Sequence, residues 1–232
     1  MTVATNLAAA RARIDRAAAR AQRDPAAVRL IGVTKGATVA AVAQALAAGL
    51  RDLGENVVQE ASGRRAALGE AAAAATWHFI GHLQTNKVRA ALGLFDIIES
   101  VDSLRLAERL NRESAARLPI LLEVNIGQET SKFGFAPDEV GAALTAVSRL
   151  ANLEPRGLMT VAPPVAATAD TRPAFRELAL LARANGLEEL SMGMTNDFEV
   201  AVEEGATMVR LGRALFGERT VHRPDLFNER TA

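Results

Sequence analysis

Residues 28–48, VRLIGVTKGATVAAVAQALAA, place a short apolar run directly before an alanine-rich stretch with valine and leucine at helical spacing. The first part is typical of a buried β-strand and the second of a helix that packs on it. Seven more apolar runs lie at 50–53, 77–80, 97–101, 120–126, 157–161, 187–192 and 208–211, and helix-like segments lie among them at 57–68, 104–117, 138–150, 171–184 and 197–204. Eight strands alternating with helices predict an α/β fold, a single (β/α)8 barrel of the TIM type.

The segments around these runs complete the predicted architecture. An extra N-terminal helix is expected over 5–23, where apolar residues recur at helical spacing until Asp24-Pro25 ends the pattern. No linker-like tract divides the chain, so residues 1–232 are predicted to form one domain. The longest irregular piece, 162–170, follows the sixth run and is expected among the loops where such barrels keep their active sites. A doubly wound open sheet is the alternative fold, which the lack of a G-x-G-x-x-G motif after the first run disfavours.

Composition narrows the class of protein. Hydrophobic residues make up 49% of the chain, and 27 basic side chains balance 27 acidic ones. A net charge of zero gives no electrostatic reason to expect binding to nucleic acid or to an anionic membrane. The chain has no cysteine, which excludes disulfides, thiolate metal sites and a cysteine nucleophile. Because no signal-peptide h-region and no apolar stretch of membrane-spanning length is found, we expect a cytoplasmic protein.

A lysine ends the first apolar run. Strand alternation places Ile31, Val33 and Lys35 on one face, and that face would be the barrel interior. Partial desolvation there would favour a neutral amine, which can attack a carbonyl carbon to form a Schiff base. A lysine that simply leaves the strand for solvent is the alternative interpretation, and taken alone the run favours it.

Two loops near the end of the chain predict an anion site. In residues 191–197, SMGMTND, Gly193 allows close backbone approach, Ser191 and Thr195 offer hydroxyls, and a helix with free N–H groups is expected to follow. In residues 207–213, Gly212 again opens space after a strand. Either loop could be an ordinary helix cap, but phosphate sites after strands seven and eight are common in this type of barrel.

Arg210 lies inside the last apolar run, and a buried guanidinium needs a partner. The structural alternative is a core carboxylate such as Glu123 or Glu55. The functional alternative is an acceptor atom on a bound ligand.

The chain resembles the YggS/PROSC family of pyridoxal phosphate homeostasis proteins, whose barrel is like the N-terminal barrel of alanine racemase. The resemblance covers residues 30–217 and rests on the number and order of its motifs. They are VTK at 33–35, GENVVQE at 54–60, WHFIGHLQTNK at 77–87, EVN at 123–125, SKFG at 131–134, RGLMT at 156–160, SMGM at 191–194 and MVRLG at 208–212.

The resemblance implies a barrel of PLP fold type III that binds pyridoxal 5′-phosphate (PLP) as an aldimine on Lys35. It implies that Ser191, Thr195 and backbone groups near Gly193 and Gly212 hold the phosphate. It also implies that Arg210 faces the pyridine nitrogen. The expected cofactor contacts are Lys35, Asn56, His82, Met159, Ser191, Gly193, Met194, Thr195, Arg210 and Gly212. The implied role is PLP homeostasis and amino-acid and keto-acid balance. We further expect PLP-requiring apoenzymes as recipients of the cofactor, and a monomer, because no second domain is needed to close the barrel.

The sequence departs from the family pattern at two places. Val57 stands where tyrosine usually follows Glu-Asn, and Gly36-Ala37-Thr38 stands where proline is common after the lysine. The first change removes a hydroxyl near the expected pocket mouth, and the second is expected to loosen the first βα loop.

Two alternative activities and a metal site also have to be considered. A weakly active PLP-dependent racemase or lyase is one, but the chain has no tyrosine to act as the second acid/base of a racemase, so we expect little racemisation. A pyridine ring facing arginine is also a weaker electron sink than one facing aspartate. A PLP-free Schiff-base aldolase is another. His78 and His82 are spaced like metal ligands, but with no third ligand evident we predict no metal site.

Overall fold

Eight parallel strands form a closed barrel in the computed structural model, which describes residues 2–129, 132–163 and 168–217. The strands are β1 Arg29–Val33, β2 Asp52–Glu55, β3 Thr76–Phe79, β4 Ile97–Val101, β5 Leu118–Glu123, β6 Leu153–Met159, β7 Glu189–Ser191 and β8 Met208–Leu211. Each strand pairs with the next, and β8 pairs with β1 to close the ring. The predicted barrel is therefore confirmed, and the open doubly wound sheet is wrong.

Helices surround the barrel. They are α1 Val3–Arg20, α2 Val39–Ala47, α3 Val58–Leu68, α4 Val88–Leu92, α5 Leu104–Glu113, α6 Val140–Val147, α7 Arg172–Ala184, α8 Phe198–Glu203 and α9 Arg213–Phe216. The extra N-terminal helix is confirmed as α1, which lies against α8 and α9. That one domain includes residues 1–232 stays a prediction, because 218–232 lie outside the described residues.

Most strands begin or end within a few residues of the predicted limits, and β6 differs most. It begins at Leu153, four residues before the predicted run. The polar and proline-containing segment Leu153-Glu154-Pro155-Arg156 looks like a loop in sequence. In the barrel, however, Pro155 pairs with Ile120 and the register then shifts, so that Leu121 pairs with Gly157. Proline is tolerated in a strand at such an irregularity.

Apolar side chains fill two layers. The larger lies between the strands and the helices and includes Trp77, whose indole Nε1 donates to Ala72 O at 2.9 Å. The smaller lies inside the barrel and consists of Ile31, Leu121, Met159 and Met208. The interior also holds buried polar side chains, and these connect it to the site described below. None of the helices in the described ranges combines the length and the apolar character that a membrane crossing requires.

Candidate functional site

A cavity of about 520 Å³ opens at the carboxyl ends of the strands. It brings together seven of the ten predicted cofactor contacts, which are Lys35, Asn56, Met159, Met194, Thr195, Arg210 and Gly212. Ser191, Gly193 and His82 do not line it. Its further lining comes from residues that were not among the ten predicted contacts, which include Val33, Ile80, Val161, Asp197, Arg213 and Phe216. A depression of about 510 Å³ at the other end of the barrel, next to Arg11 and Arg51, contains none of the ten.

Lys35 lines this cavity from the loop after β1. The strand ends at Val33, so the lysine lies two residues beyond it and is exposed. The expectation that a position on the interior face would partly desolvate its amine is therefore wrong for this structure. The next three residues, Gly36, Ala37 and Thr38, also line the cavity, and the Thr38 hydroxyl accepts from Ala41 N to cap α2.

The turn after β7 offers hydrogen-bond donors to the cavity, although not as predicted. The helix that follows, α8, has only six residues, and the Met194 amide is taken by Asp197 Oδ1 at 2.6 Å. The backbone amides of Thr195 and Asn196 make no hydrogen bond within the described chain. The free donors therefore belong to the turn rather than to the first turn of the helix.

Gly193 supports this turn from behind the cavity wall. Its φ is +88°, and a Cβ there would come within 2.5 Å of Ala201 Cβ and 2.9 Å of Phe198 Cα. Its carbonyl accepts from Arg210 N at 3.0 Å, which ties the turn to β8. A residue with a side chain at this position would displace α8, so glycine is required here for close packing.

Arg210 forms part of the cavity floor and is only 3% exposed. Its Nη1 donates to Ser191 Oγ at 2.6 Å, and its Nη2 donates to Thr160 O at 2.7 Å. Burial lowers the pKa of this guanidinium, an effect that the negative charges of Glu99, Glu123 and Asp197 oppose. The guanidinium is therefore buried with hydrogen-bond partners and with compensating charge, as a buried cation requires.

The carboxylate connected to Arg210 by hydrogen bonds is Glu99, which sequence reasoning missed. The two candidates named from sequence act differently. Glu55 points to the helices and pairs with Arg64 at 2.6 Å, and Glu123 acts on Arg210 through its charge without a hydrogen bond between them. The signal for Glu99 was a single acidic residue in the middle of the apolar run 97–101.

A chain of hydrogen bonds runs through the barrel interior to the cavity floor. His78 Nε2 lies 3.1 Å from Asp52 Oδ1, and His78 Nδ1 lies 2.5 Å from Glu99 Oε1. Ser191 Oγ donates to Glu99 Oε2 at 2.5 Å and accepts from Arg210. We call these five residues the interior relay. Ser191 therefore lies beneath the cavity, with its hydroxyl engaged on both sides.

The relay alternates in charge. Burial alone would lower the pKa of His78, but the hydrogen bonds and charges of Asp52 and Glu99 raise it to about 9. Burial alone would raise the pKa of Glu99, but its bonds and charge interactions with His78, Arg210 and Ser191 lower it. At neutral pH His78 is consequently an imidazolium between two carboxylates, and it donates from both ring nitrogens.

His82 lies at the barrel rim, beside the cavity rather than in it. Its Nδ1 lies 2.8 Å from Asp102 Oδ2, and its ring stacks on Phe133 with 3.7 Å between ring centres. The two histidines thus contact different carboxylates. Within the described part of the chain, no group of three or more His, Cys, Asp or Glu side chains could hold a metal ion.

Comparisons with known proteins agree with this geometry. Residues 5–220 match the family described as "Alanine racemase, N-terminal domain". A "Pyridoxal phosphate homeostasis protein" of Pseudomonas aeruginosa is 47% identical over 228 residues, which cover 96% of this chain and 98% of the relative. The protein of the same name from Escherichia coli K12 is 38% identical over 226 residues, covering 94% and 97%.

A solved structure of a relative also matches the fold of this chain. PipY of Synechococcus elongatus PCC7942, with PLP bound, matches with a TM-score of 0.76 and 38% sequence identity, over 93% of this chain and 100% of PipY. The resemblance inferred from the motifs is confirmed by these matches. Fold, cavity and sequence together show that this chain belongs to the family of pyridoxal phosphate homeostasis proteins, which share the N-terminal domain of alanine racemase.

Proposed function

We propose that this chain binds PLP in the cavity at the carboxyl ends of the strands and takes part in intracellular PLP homeostasis. The observation that carries the proposal is the cavity itself, which combines an exposed lysine amine, free backbone amides and a buried guanidinium. The names of the relatives and the PLP bound to PipY support it.

The charge of the lining suits an anionic ligand. Among the described lining residues, the ionisable side chains are Lys35, Arg210 and Arg213 against one carboxylate, that of Asp197, which accepts a hydrogen bond from the Met194 amide. A phosphate accepts hydrogen bonds from backbone amides and hydroxyls, and the amides of Thr195 and Asn196 with the Thr195 hydroxyl provide such donors. The volume of about 520 Å³ lies in the ordinary range for small-molecule sites.

Each residue then has a proposed task. Lys35 Nζ bonds to the cofactor aldehyde as a Schiff base, with loss of water. Thr195 and the turn amides hold the phosphate, Gly212 leaves room beside it, and Arg210 faces the pyridine nitrogen. Asn56, Met159 and Met194 form walls around the ring. Ser191 and Gly193 act from behind the wall, by positioning Arg210 and the turn.

The lining supports a cofactor-handling protein over a fast enzyme. Bound PLP supplies an electron-withdrawing ring and an aldehyde that condenses with amines. Racemisation needs a proton donor on the face opposite the lysine, and among the described lining residues the ionisable groups besides Lys35 are two arginines and Asp197. We therefore propose at most slow racemase or lyase activity on amino acids.

Transfer of PLP to PLP-requiring apoenzymes belongs to the same proposal. Lys35 lines the cavity and is exposed, so a cofactor held there would be within reach of an incoming amine. The barrel is closed by its own eight strands without a second copy of the chain, which supports a monomer. A location in the cytoplasm is part of the same proposal.

The visible spectrum of the purified protein tests the proposal. Reconstituted wild type should be yellow. The chain has three lysines, and borohydride reduction followed by peptide mapping should locate the cofactor on Lys35 and not on Lys87 or Lys132. Lys35→Ala should be colourless, whereas Lys87→Ala and Lys132→Ala should keep the colour. A wild type that stays colourless with added PLP, or a label on another lysine, would overturn it. Turnover of one amino acid at ordinary enzymatic rates, lost in Lys35→Ala, would favour the enzyme alternative.

A further inference from the structure

We propose that Glu99 is a positioning residue for Arg210, and that it holds the guanidinium through Ser191 in the orientation that the cofactor ring meets. The inference rests on the proposed function, because it concerns how the floor of the PLP cavity is built. It adds a residue that touches neither the cavity nor the ligand.

The path from Glu99 to Arg210 is short and fully buried. Glu99 and Ser191 are both 0% exposed, and the two bonds along the path measure 2.5 Å and 2.6 Å. The single hydroxyl proton of Ser191 goes to Glu99, so the serine oxygen can only accept from Arg210. The carboxylate therefore fixes the direction of the hydroxyl, and the hydroxyl fixes Nη1 of the guanidinium.

Glu99 is itself held in place from the other side. His78, which is also 0% exposed, lies 2.5 Å from Glu99 Oε1, and Asp52 lies 3.1 Å from its other ring nitrogen. Both carboxylate oxygens of Glu99 thus have a partner, one for each neighbour in the relay. A carboxylate held at both oxygens has one orientation, which is what a residue that orients another must have.

Arg210 needs this support because its second bond cannot fix the guanidinium alone. Nη2 donates to the carbonyl of Thr160, the residue that follows β6, and Nη1 donates to Ser191 at the end of β7. With both bonds the planar group is held at two points, and its remaining N–H groups can face the cavity. With only the Thr160 bond it can pivot, and the charge of Glu99 that compensates it would be lost as well.

The test compares wild type with Glu99→Gln, which keeps the size and shape of the side chain but removes its charge. Two probes are titrated: PLP, and pyridoxine 5′-phosphate, which has the ring and phosphate but no aldehyde to bond to Lys35. We expect Glu99→Gln to weaken both about tenfold and to shift the absorption maximum of bound PLP. In an Arg210→Gln background the additional effect of Glu99→Gln should vanish, since Glu99 acts through that arginine.

Controls separate positioning from stability. Leu110→Ala, in the buried face of α5 outside the barrel, should lower Tm without changing the affinity or the spectrum. If Glu99→Gln fails to fold, Ser191→Thr and Ser191→Val are compared instead, because threonine and valine have nearly the same shape. Only Ser191→Thr, which keeps the hydroxyl, should retain the wild-type spectrum.

Two outcomes are decisive. Wild-type affinity and spectrum in Glu99→Gln, or in Ser191→Val, would overturn the inference while leaving PLP binding intact. If the wild type binds neither PLP nor pyridoxine 5′-phosphate, the proposed function itself is overturned.

Discussion

Arg64 shows how a residue outside the cavity can control the loop that carries Lys35. Its Nε donates to Glu55 Oε1 at 2.6 Å, and its two Nη atoms donate to the carbonyls of Ala37 at 2.9 Å and Thr34 at 3.2 Å. These carbonyls lie on either side of Lys35. One guanidinium on α3 therefore anchors the first βα loop and neutralises a carboxylate that is 0% exposed.

We expect Arg64→Met to lower the free energy of unfolding by about 3 kcal/mol, because it leaves the Glu55 charge buried without a partner. PLP affinity should fall as well, because the loop loses two hydrogen bonds. Urea denaturation and PLP titration measure the two effects. The double variant Glu55→Gln/Arg64→Met should recover much of the stability but not the affinity. If the double variant is as unstable as the single one, the buried charge is not the cause.

For single residues, the sequence was informative about those that line the cavity and uninformative about those beneath them. Lys35, Thr195 and Arg210 could be selected because each is a polar side chain inside an apolar run or shortly after one. Glu99 could not be assigned a partner from sequence, since the alternation of a strand shows which face a residue occupies but not which side chains meet across a barrel. His82 was expected in the cavity, yet its bond to Asp102 holds it at the rim.

Among the elements, α3 contains a glycine that serves no structural need. Gly63 lies in the middle of the helix, is exposed, and would have no atom within 4 Å of an added Cβ. We expect Gly63→Ala to stabilise the protein by about 0.5–1 kcal/mol, because alanine loses less backbone entropy in a helix. Chemical denaturation measures the change.

A glycine in a strand is the matched control. A Cβ at Gly157 of β6 would come within 1.8 Å of Glu189 O on β7. Gly157→Ala should therefore separate these two strands and destabilise the barrel, in contrast to Gly63→Ala. If both substitutions change the free energy of unfolding by the same amount, the space available for a Cβ does not determine their effects.

Elements with strong periodicity were predicted well, and those without it were not. The limits of β4 and β8 are those of the predicted runs. The five-residue helix α4 was not predicted, because it is too short for a periodic pattern to stand out. The early start of β6 depends on pairing with β5 around a register shift, which is tertiary information.

The whole molecule should lose stability on the alkaline side because of the interior relay. The pKa of His78 is raised from 6.5 to about 9, so the stabilisation from its positive charge is complete below pH 6.5 and is lost as the pH rises through 9. The expected loss is of the order of 3 kcal/mol. Urea denaturation of the apoprotein between pH 6 and 10 measures it.

His78→Gln provides the comparison for this prediction. It removes the titrating group from between Asp52 and Glu99 while keeping a polar side chain. The variant should be less stable at pH 6 and should show a flatter profile above pH 6.5. An alkaline decline that is unchanged in His78→Gln would assign the effect to other groups.

The distribution of amines over the molecule has a consequence for a protein that handles a reactive aldehyde. The chain has 24 arginines and only three lysines. Lys132 Nζ is held by Glu129 Oε1 at 2.6 Å, and Lys87 is half-buried, whereas Lys35 is exposed at the cavity. Guanidinium groups stay protonated and do not condense as lysine amines do. The surface can therefore be rich in positive charge and still offer an aldehyde few side chains with which to condense. Composition would then contribute, together with the cavity, to the proposed selectivity for Lys35.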